Sequence, residues 1–212
     1  MSCSETVTQR KLGSKGKIAY ERSSLFDYLI VMTLEEGELA VEESRLLQKE
    51  AGKRKQMSLL VTNGFPTLSL VFHPHYQESF EYRIEGDDVV EGQPAIRIAF
   101  RQVTPARSTT ALRLRGHDFP LELKGRAWVD PGTASVLRIE SGLKKPMGDL
   151  GLEALDCAVR YGPVNFPGQP APYWLPQEAR IEARTRHQHW QNVHRFSSYK
   201  HFTVKSETEV QQ

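Results

Sequence analysis

Apolar and polar side chains alternate along most of the chain after about residue 80. The alternation is clearest in residues 80–85, 96–101, 112–124, 137–143 and 155–161. Successive side chains of a β-strand point to opposite faces of a sheet, so a period of two gives each strand one apolar and one polar face. Turn residues separate the segments, as in Gly86-Asp87-Asp88 and Glu91-Gly92. The pattern predicts an antiparallel sheet of hairpins whose last strands span residues 177–189 and 192–205.

The earlier part of the chain follows this pattern less regularly. Residues 26–34 are largely apolar at consecutive positions, which predicts a strand covered on both faces. Residues 39–47 fit either a strand or a helix, and the charged residues 49–55 predict a loop. Residues 57–72 are the best helical candidate, with a break at Asn63-Gly64. One such segment in a strand-rich chain predicts a mainly β fold, with a helix filling the concave side of a curved antiparallel sheet.

The composition is that of a globular protein and argues against several classes. The 212 residues are 39% hydrophobic and 25% charged, and the net charge of +2 gives no global case for nucleic-acid binding. No apolar run reaches the roughly 18 residues of a membrane-spanning helix. The chain begins without the apolar region of a signal peptide, so either it stays where it is made or a signal peptide has been removed upstream. The two cysteines, Cys3 and Cys157, are too few for a cysteine zinc site, although one disulfide between them is compatible with an oxidising compartment.

Two histidine pairs have the spacing of metal ligands on a strand. His73 and His75 are two residues apart, as are His187 and His189, which places both imidazoles of a pair on one face. A catalytic zinc site needs three protein ligands, so this interpretation requires the two pairs to meet in space. The alternative is that they are solvent-facing side chains. The sequence has no motif of a serine or cysteine nucleophile and none of a phosphate-binding loop, so we predict no catalytic residue, no metal and no cofactor.

A basic stretch lies near the carboxy terminus. Arg180, Arg184 and Arg186 share one face if this segment is a strand. They form either a stripe that binds anions or single-stranded nucleic acid, or a solvated sheet face balanced by Glu178 and Glu182. The second interpretation agrees better with the low net charge, and we predict no nucleic-acid partner.

Several short segments carry a family likeness. Gly-Arg-Ala-Trp-Val-Asp at 125–130, with Thr133 and Val-Leu-Arg-Ile-Glu at 136–140, resembles the core hairpin of the LolA/LolB-like lipoprotein-carrier superfamily. Val-Arg-Tyr-Gly-Pro-Val at 159–164 and Ser-Tyr-Lys-His-Phe at 198–202 are similar to a branch of bacterial envelope proteins with that fold. The likeness covers roughly residues 60–205, whereas the functional arginine and the protruding hydrophobic loop of the true carriers have no counterpart that we can identify.

The resemblance implies one domain over residues 1–212, ordered from about 5 to 205, built as an unclosed β-barrel with one or more helices on its concave face. It implies a non-enzymatic periplasmic protein that binds a lipid or a lipoprotein acyl chain, with an envelope protein as another partner. Phe65, Leu68, Phe72 and Trp128 are the candidate ligand-binding residues, and core packing is the other role open to each. A structural or protein-interaction scaffold with a filled core is the main alternative function. A metal-dependent enzyme that uses the histidine pairs is the third.

Overall fold

The computed structural model describes residues 1–13, 16–35, 37–52, 62–104, 107–114 and 117–202. Thirteen strands are described in these ranges. They are β1 (Ser2–Leu12), β2 (Ile18–Glu35), β3 (Glu38–Gly52), β4 (Thr62–Asn63), β5 (Phe80–Val90), β6 (Gln93–Gln102), β7 (Ala111–Leu114), β8 (His117–Pro120), β9 (Leu123–Val129), β10 (Val136–Leu143), β11 (Leu152–Val164), β12 (Tyr173–Thr185) and β13 (His189–Lys200). The helices are short: the 3₁₀ helices Leu68–Phe72 and Gly148–Leu150, and α1 (Pro74–Gln77). Among the described residues, no helix is long and apolar enough to cross a bilayer.

Ten of the strands form one antiparallel sheet that is not closed into a barrel. Its order is β3-β2-β1-β13-β12-β11-β10-β9-β6-β5, and β4, β7 and β8 form a separate small sheet. β3 and β5 are the two edges, each paired on one side within the described part of the chain. The mainly β, antiparallel architecture predicted from the alternation is therefore confirmed, as is the unclosed sheet that the resemblance implied.

The sheet curves around its own core. Tyr28 on β2 and Phe80 on β5 are both buried in a single hydrophobic cluster. The two strands are eight steps apart in the sheet, which at about 4.8 Å per step would separate them by roughly 38 Å if the sheet were flat. Phe65 and Leu68, which have no solvent exposure, belong to the same cluster. The concave face is thus filled by the segment that carries these two residues.

We call residues 64–77 the plug segment. The predicted helix over 57–72 is wrong in its described part, where strand β4 and a turn precede the 3₁₀ helix Leu68–Phe72; residues 53–61 lie outside the described residues. Pro74 explains the short length, because a residue before proline avoids the helical conformation and His73 is extended, with ψ of 139°. Only seven residues separate Pro66 from Pro74, too few for a regular amphipathic helix.

The amino-terminal strands differ from expectation in extent. β1 begins at Ser2, and β3 continues to Gly52 through residues predicted to lie in a loop. The segment 26–34 is a strand as predicted, but it is not covered on both faces, since Leu34 is 66% exposed. β1 begins opposite Leu29, and Met1 and Ile30 exchange backbone hydrogen bonds, so in the described part of the chain the β2–β3 hairpin from Val31 onward has no β1 residue beside it. We call the described residues 30–35 and 37–43 the arm.

The β5–β6 hairpin shows how a tight turn sets register. Its strands pair as predicted, from Phe80 opposite Gln102 to Val90 opposite Gln93. The connection is shorter than the turn residues at 86–88 and 91–92 suggested. Gly86 lies within β5 at a bulge, and the two strands are connected only by Glu91-Gly92. Both have positive φ, 49° and 84°, as a two-residue type I′ turn requires.

Candidate functional site

The arm carries an apolar row on the same face as the core. Tyr28, which is buried, pairs with Cys3 and with Arg45, so alternate residues along β2 share its face. These are Ile30, Met32 and Leu34, and their partners on β3 include Val41 and Leu39. Ile30 packs against the core, whereas Met32 is 46% exposed. The inner face therefore continues as an apolar surface from the core to the end of the arm.

A cavity of about 400 Å³ lies between the arm and the plug segment. Val41 and Glu43 line it from the arm, and Thr67, Leu70 and Tyr76 line it from the plug segment. A third wall comes from residues 108–111 and Pro120. The volume falls within the range of small-molecule sites, and the lining is part apolar and part polar.

The arm meets its surroundings at both ends of this cavity. At the inner end, the Gly64 backbone N–H donates to Glu43 Oε1 at 3.1 Å. At the tip, His75 Nδ1 lies 3.3 Å from the Gly37 carbonyl oxygen, and Arg107 donates through both Nη atoms to Glu38 at 2.8 Å each. The Arg107 Nη1 contact with His75 Nε2 at 2.9 Å fits the tautomer in which Nδ1 is the donor. The arm therefore forms one wall of the cavity and is held in place by polar contacts at both ends of it.

A buried charge cluster supports the base of the arm. Glu5 on β1 has no solvent exposure, and Arg45 on β3 donates to it through Nε at 2.6 Å and Nη2 at 3.2 Å. His194 Nδ1 on β13 contacts Glu5 Oε1 at 2.8 Å. Burial alone would raise the pKa of Glu5, but the hydrogen bonds and charges of His194 and Arg45 outweigh burial and hold the pKa below its usual value. The cluster thus ties three strands together through one carboxylate.

Arg45 also connects this cluster to the cavity. Its guanidinium lies 4.5 Å from the centroid of the Tyr28 ring, and its Nη1 donates to Glu43 Oε2 at 3.4 Å. Burial, followed by the nearby charge of Glu43, raises the pKa of Tyr28 far above its usual value, so Tyr28 remains a neutral ring beneath the cation. Glu43 is therefore shared between the charge cluster and the cavity wall.

The four predicted ligand-binding residues lie in two different places. Phe65 and Leu68 are completely buried in the core beneath the sheet. Phe72 packs against the ring of Tyr82 with centroids 5.5 Å apart. Trp128 lies on the outer face, since it alternates with the buried Ala127, and its Nε1 donates to Asp88 on the same outer surface. The cavity is lined instead by Leu70, the plug residue between the buried Leu68 and Val71.

The two histidine pairs do not converge. His75 contacts the tip of the arm, at one end of β2. His189 pairs with Leu12, beside the opposite end of β2, and contacts Glu182 at 2.5 Å. Within the described ranges, no group of three or more His, Cys, Asp or Glu side chains has the arrangement of a metal site. The metal-dependent interpretation therefore has no geometric support.

The cysteines and the basic stretch belong to different surroundings. Cys3 and Cys157 are both buried and free, so the disulfide that the sequence left open is not formed. The basic stretch lies on the outer face, where Arg195 and Arg180 contact Glu178 at 3.1 and 3.6 Å. Around Glu178 this is a solvated sheet face with paired charges, while Glu182 contacts His189.

Comparisons with known proteins give distant structural likenesses. No protein family and no curated protein matches the sequence. The solved structure of a LolA superfamily protein from Nitrosomonas europaea has 12% identity and a TM-score of 0.43, over 96% of this chain and 87% of that one. A DUF1329 family protein from Desulfovibrio piger has 11% identity and a TM-score of 0.41, over 92% and 82%. A domain from Vibrio parahaemolyticus named for outer membrane lipoprotein sorting has 10% identity and a TM-score of 0.35, over 94% and 87%.

The chain is similar to LolA-superfamily structures. The first of these structures is named as a member of the superfamily that the sequence motifs resemble. At this identity and TM-score, the likeness carries no argument about ligand or activity.

Sequence reasoning missed the charge cluster. Glu5 and His194 are 189 residues apart, and nothing in either segment alone indicates that they meet. One signal was available, because Glu5 stands between Cys3 and Val7 at the apolar positions of an alternating strand. A charge at such a position predicts a buried partner of opposite sign.

Proposed function

We propose that the chain is a non-enzymatic cell-envelope protein that binds a hydrophobic ligand, a lipid or the acyl chain of a lipoprotein, between the arm and the plug segment. The observation that carries the proposal is the apolar row of the arm, which leaves Met32 and Leu34 exposed at 46% and 66% beside a cavity of about 400 Å³. The periplasmic location is part of the proposal and is supported by the sequence resemblance alone.

The physical basis is burial of apolar surface. Each CH₂ group moved from water to an apolar surface contributes about 0.8 kcal/mol, so a chain of several carbons can bind without catalytic groups. The arm and Leu70 supply this surface, while the core residues Phe65 and Leu68 stay packed beneath it. The proposed site therefore differs from the one predicted from sequence, because a ligand enters beside the core and does not replace it.

Native mass spectrometry with lipid extraction tests the proposal directly. Protein purified from its own host is expected to retain a stoichiometric lipid that is lost on denaturation. Ligand-free protein that also fails to bind the neutral probe N-phenyl-1-naphthylamine would contradict the proposal.

A pair of tryptophan variants localises the site. Val41→Trp places a large side chain in the cavity wall and is expected to weaken probe binding by about tenfold. Leu46→Trp introduces the same residue on the opposite face of the same strand, where Leu46 is 65% exposed, and should leave binding unchanged. Equal effects of the two variants would argue against a site beneath the arm.

One observation favours the alternative of a scaffold without a ligand. Phe65, Leu68 and Val71 have no exposure, so the concave face is already filled by the chain itself. A scaffold of this kind predicts that Val41→Trp is stabilising or neutral and that no probe binds to the wild-type protein.

A further inference from the structure

The cavity has an apolar side and a polar side. Val41, Leu70 and Ala111 are the aliphatic lining residues, whereas Glu43 carries a carboxylate and residues 108–110, Ser-Thr-Thr, carry hydroxyls. The Ser108 hydroxyl is already engaged with the Thr110 and Leu121 carbonyl oxygens. An occupant that matches both sides has an apolar chain and a polar end. The chemistry of that end can be read from the charges and hydroxyls that would face it.

The polar side has negative charge and no free cation among the described residues. The Glu43 side chain is 8% exposed and lines the cavity directly. The neighbouring guanidiniums are already engaged, since Arg45 binds Glu5 and Glu43 while Arg107 binds Glu38 through both Nη atoms. An anionic group here would face the Glu43 carboxylate, and the described residues offer no unengaged cation to balance the added charge, which is unfavourable where solvent screening is weak.

The hydroxyls supply the second observation. Thr110 is 4% exposed, and its Oγ1 is buried with no hydrogen-bond partner among the described residues; the same holds for the Oγ1 of Thr109. Buried hydroxyls nearly always have partners, so these two have unused hydrogen-bonding capacity beside the cavity. Neither Oγ1 has solvent-accessible surface in this arrangement, so contact with a ligand requires rotation of the threonine side chains about χ1. A ligand hydroxyl can donate to one of them and accept from the other.

From this chemistry, and resting on the proposed function, we infer that the cavity takes a lipid with an uncharged polar end that carries hydroxyl or amide donors, such as a glycerol ester. It discriminates against lipids with an anionic end. Glu43 accepts a hydrogen bond from the ligand, Thr109 and Thr110 complete the contact, and the chain of the ligand lies along Val41 and Leu70.

A matched pair of lipids tests the inference. Monooleoylglycerol and oleate have the same chain and differ in charge. Each lipid is titrated, at pH 8 and below the aggregation concentration of that lipid, into wild-type protein that carries bound N-phenyl-1-naphthylamine, and the displacement of the probe is measured. We expect monooleoylglycerol to bind at least about tenfold more tightly. Probe binding with equal or stronger displacement by oleate overturns the inference and leaves the proposed function intact, and so does displacement by neither lipid. Absence of binding by the probe and both lipids removes the proposed function itself.

Two variants assign the preference to named groups. Glu43→Gln keeps an acceptor for the Gly64 N–H, removes the charge, and is expected to reduce the preference to about threefold or less by improving oleate binding. Glu42→Gln, on the exposed outer face of the same strand, is the control and should change nothing. A preference unaltered by Glu43→Gln overturns the role of the carboxylate.

Thr110→Val supplies an independent readout if the Glu43 variant folds poorly. It removes a hydroxyl without a partner, so it should not lower the stability of the empty protein. We expect about fivefold weaker binding of monooleoylglycerol and a clearly smaller change in the binding of the neutral probe, which has no hydroxyl to pair with Thr110. Thr8→Val on the outer face of β1 is the control. Equal weakening of probe and lipid would show a packing effect and overturn the role of the hydroxyl.

Discussion

Replacing Arg45 with methionine should be among the most destabilising single changes in the sheet. The substitution removes the guanidinium that binds Glu5 at 2.6 Å and leaves a carboxylate with no solvent exposure paired only with His194. Methionine preserves much of the apolar packing over Tyr28, so the loss is mainly electrostatic.

The magnitude follows from the burial of the pair. The Arg45 side chain is 18% exposed and that of Glu5 is 0% exposed, so solvent screening is weak. Removing one partner of such a pair costs about 3–5 kcal/mol, because the remaining charge is left buried. For a chain of this size, each kcal/mol shifts the melting temperature by roughly 2–4 °C, so at least about 6 °C is expected. Neutralising both partners, with Glu5→Gln added, should recover at least about 1 kcal/mol.

Urea unfolding followed by tryptophan fluorescence measures these differences. Arg195→Met is the matched control, because Arg195 also contacts a glutamate, at 3.1 Å, but its side chain is 60% exposed. The control should change the free energy of unfolding by no more than about 0.5 kcal/mol. If Arg45→Met costs no more than Arg195→Met, or if the double variant is less stable than Arg45→Met alone, the buried-charge reasoning is refuted.

Four further predictions concern other parts of the fold. Gly125→Ala should cost more than about 3 kcal/mol in urea unfolding, since a Cβ there would overlap a carbonyl oxygen of β10; a cost near zero would contradict this packing. Glu91→Asn should stabilise the protein by about 0.5–1 kcal/mol, because Glu91 has φ of 49° and asparagine tolerates that conformation better; destabilisation would argue against the type I′ turn. Maleimide should label both thiols only after unfolding, since burial raises the pKa of Cys3 to about 12 and raises the pKa of Cys157; rapid native labelling would show that a thiol is accessible. The Glu5 pKa is lowered in the fold, so its stabilisation is present above the usual value of 4.5 and lost as pH falls through the folded value; the stability gap between wild type and Glu5→Gln should therefore narrow below about pH 4.5, and a constant gap would be evidence against the cluster.

The alternation of apolar residues predicted the sheet well wherever one face is buried and the other is solvated. β10 shows the reason: buried Leu137 and Ile139 alternate with the solvated Arg138, so only one register buries the apolar set. The arm shows the limit of the same reasoning. Met32 and Leu34 are as apolar as core residues, but they lie beyond the residues of β2 that pair with β1, and the pattern of their own segment does not show the extent of that pairing.

The candidate site could be predicted less well than the fold. The apolar plug residues were recognised, but their pattern does not distinguish Leu68, which is sealed in the core, from Leu70, which faces the cavity. Trp128 was a candidate for the cavity or for core packing, and both roles would place it in the interior. The structure instead places it on the outer face, where Arg138 lies 5.4 Å from the ring centroid and Asp88 accepts its N–H. Amphipathic aromatic side chains of this kind satisfy both environments, so their type alone does not decide the face.

The charge cluster explains why the apolar arm stays separated from the plug segment, with the cavity between them. Apolar contacts are non-directional, so a hairpin held only by Met32, Leu34 and Val41 would be free to collapse onto the plug segment. The contacts of Arg45 are directional, since its guanidinium binds Glu5 through two nitrogens and reaches Glu43 with a third. Glu43 then bonds the Gly64 N–H and fixes the spacing at the inner end of the cavity. The same carboxylate that sets this spacing faces the ligand in our inference, so the geometry of the site and its preference for an uncharged lipid have one physical origin.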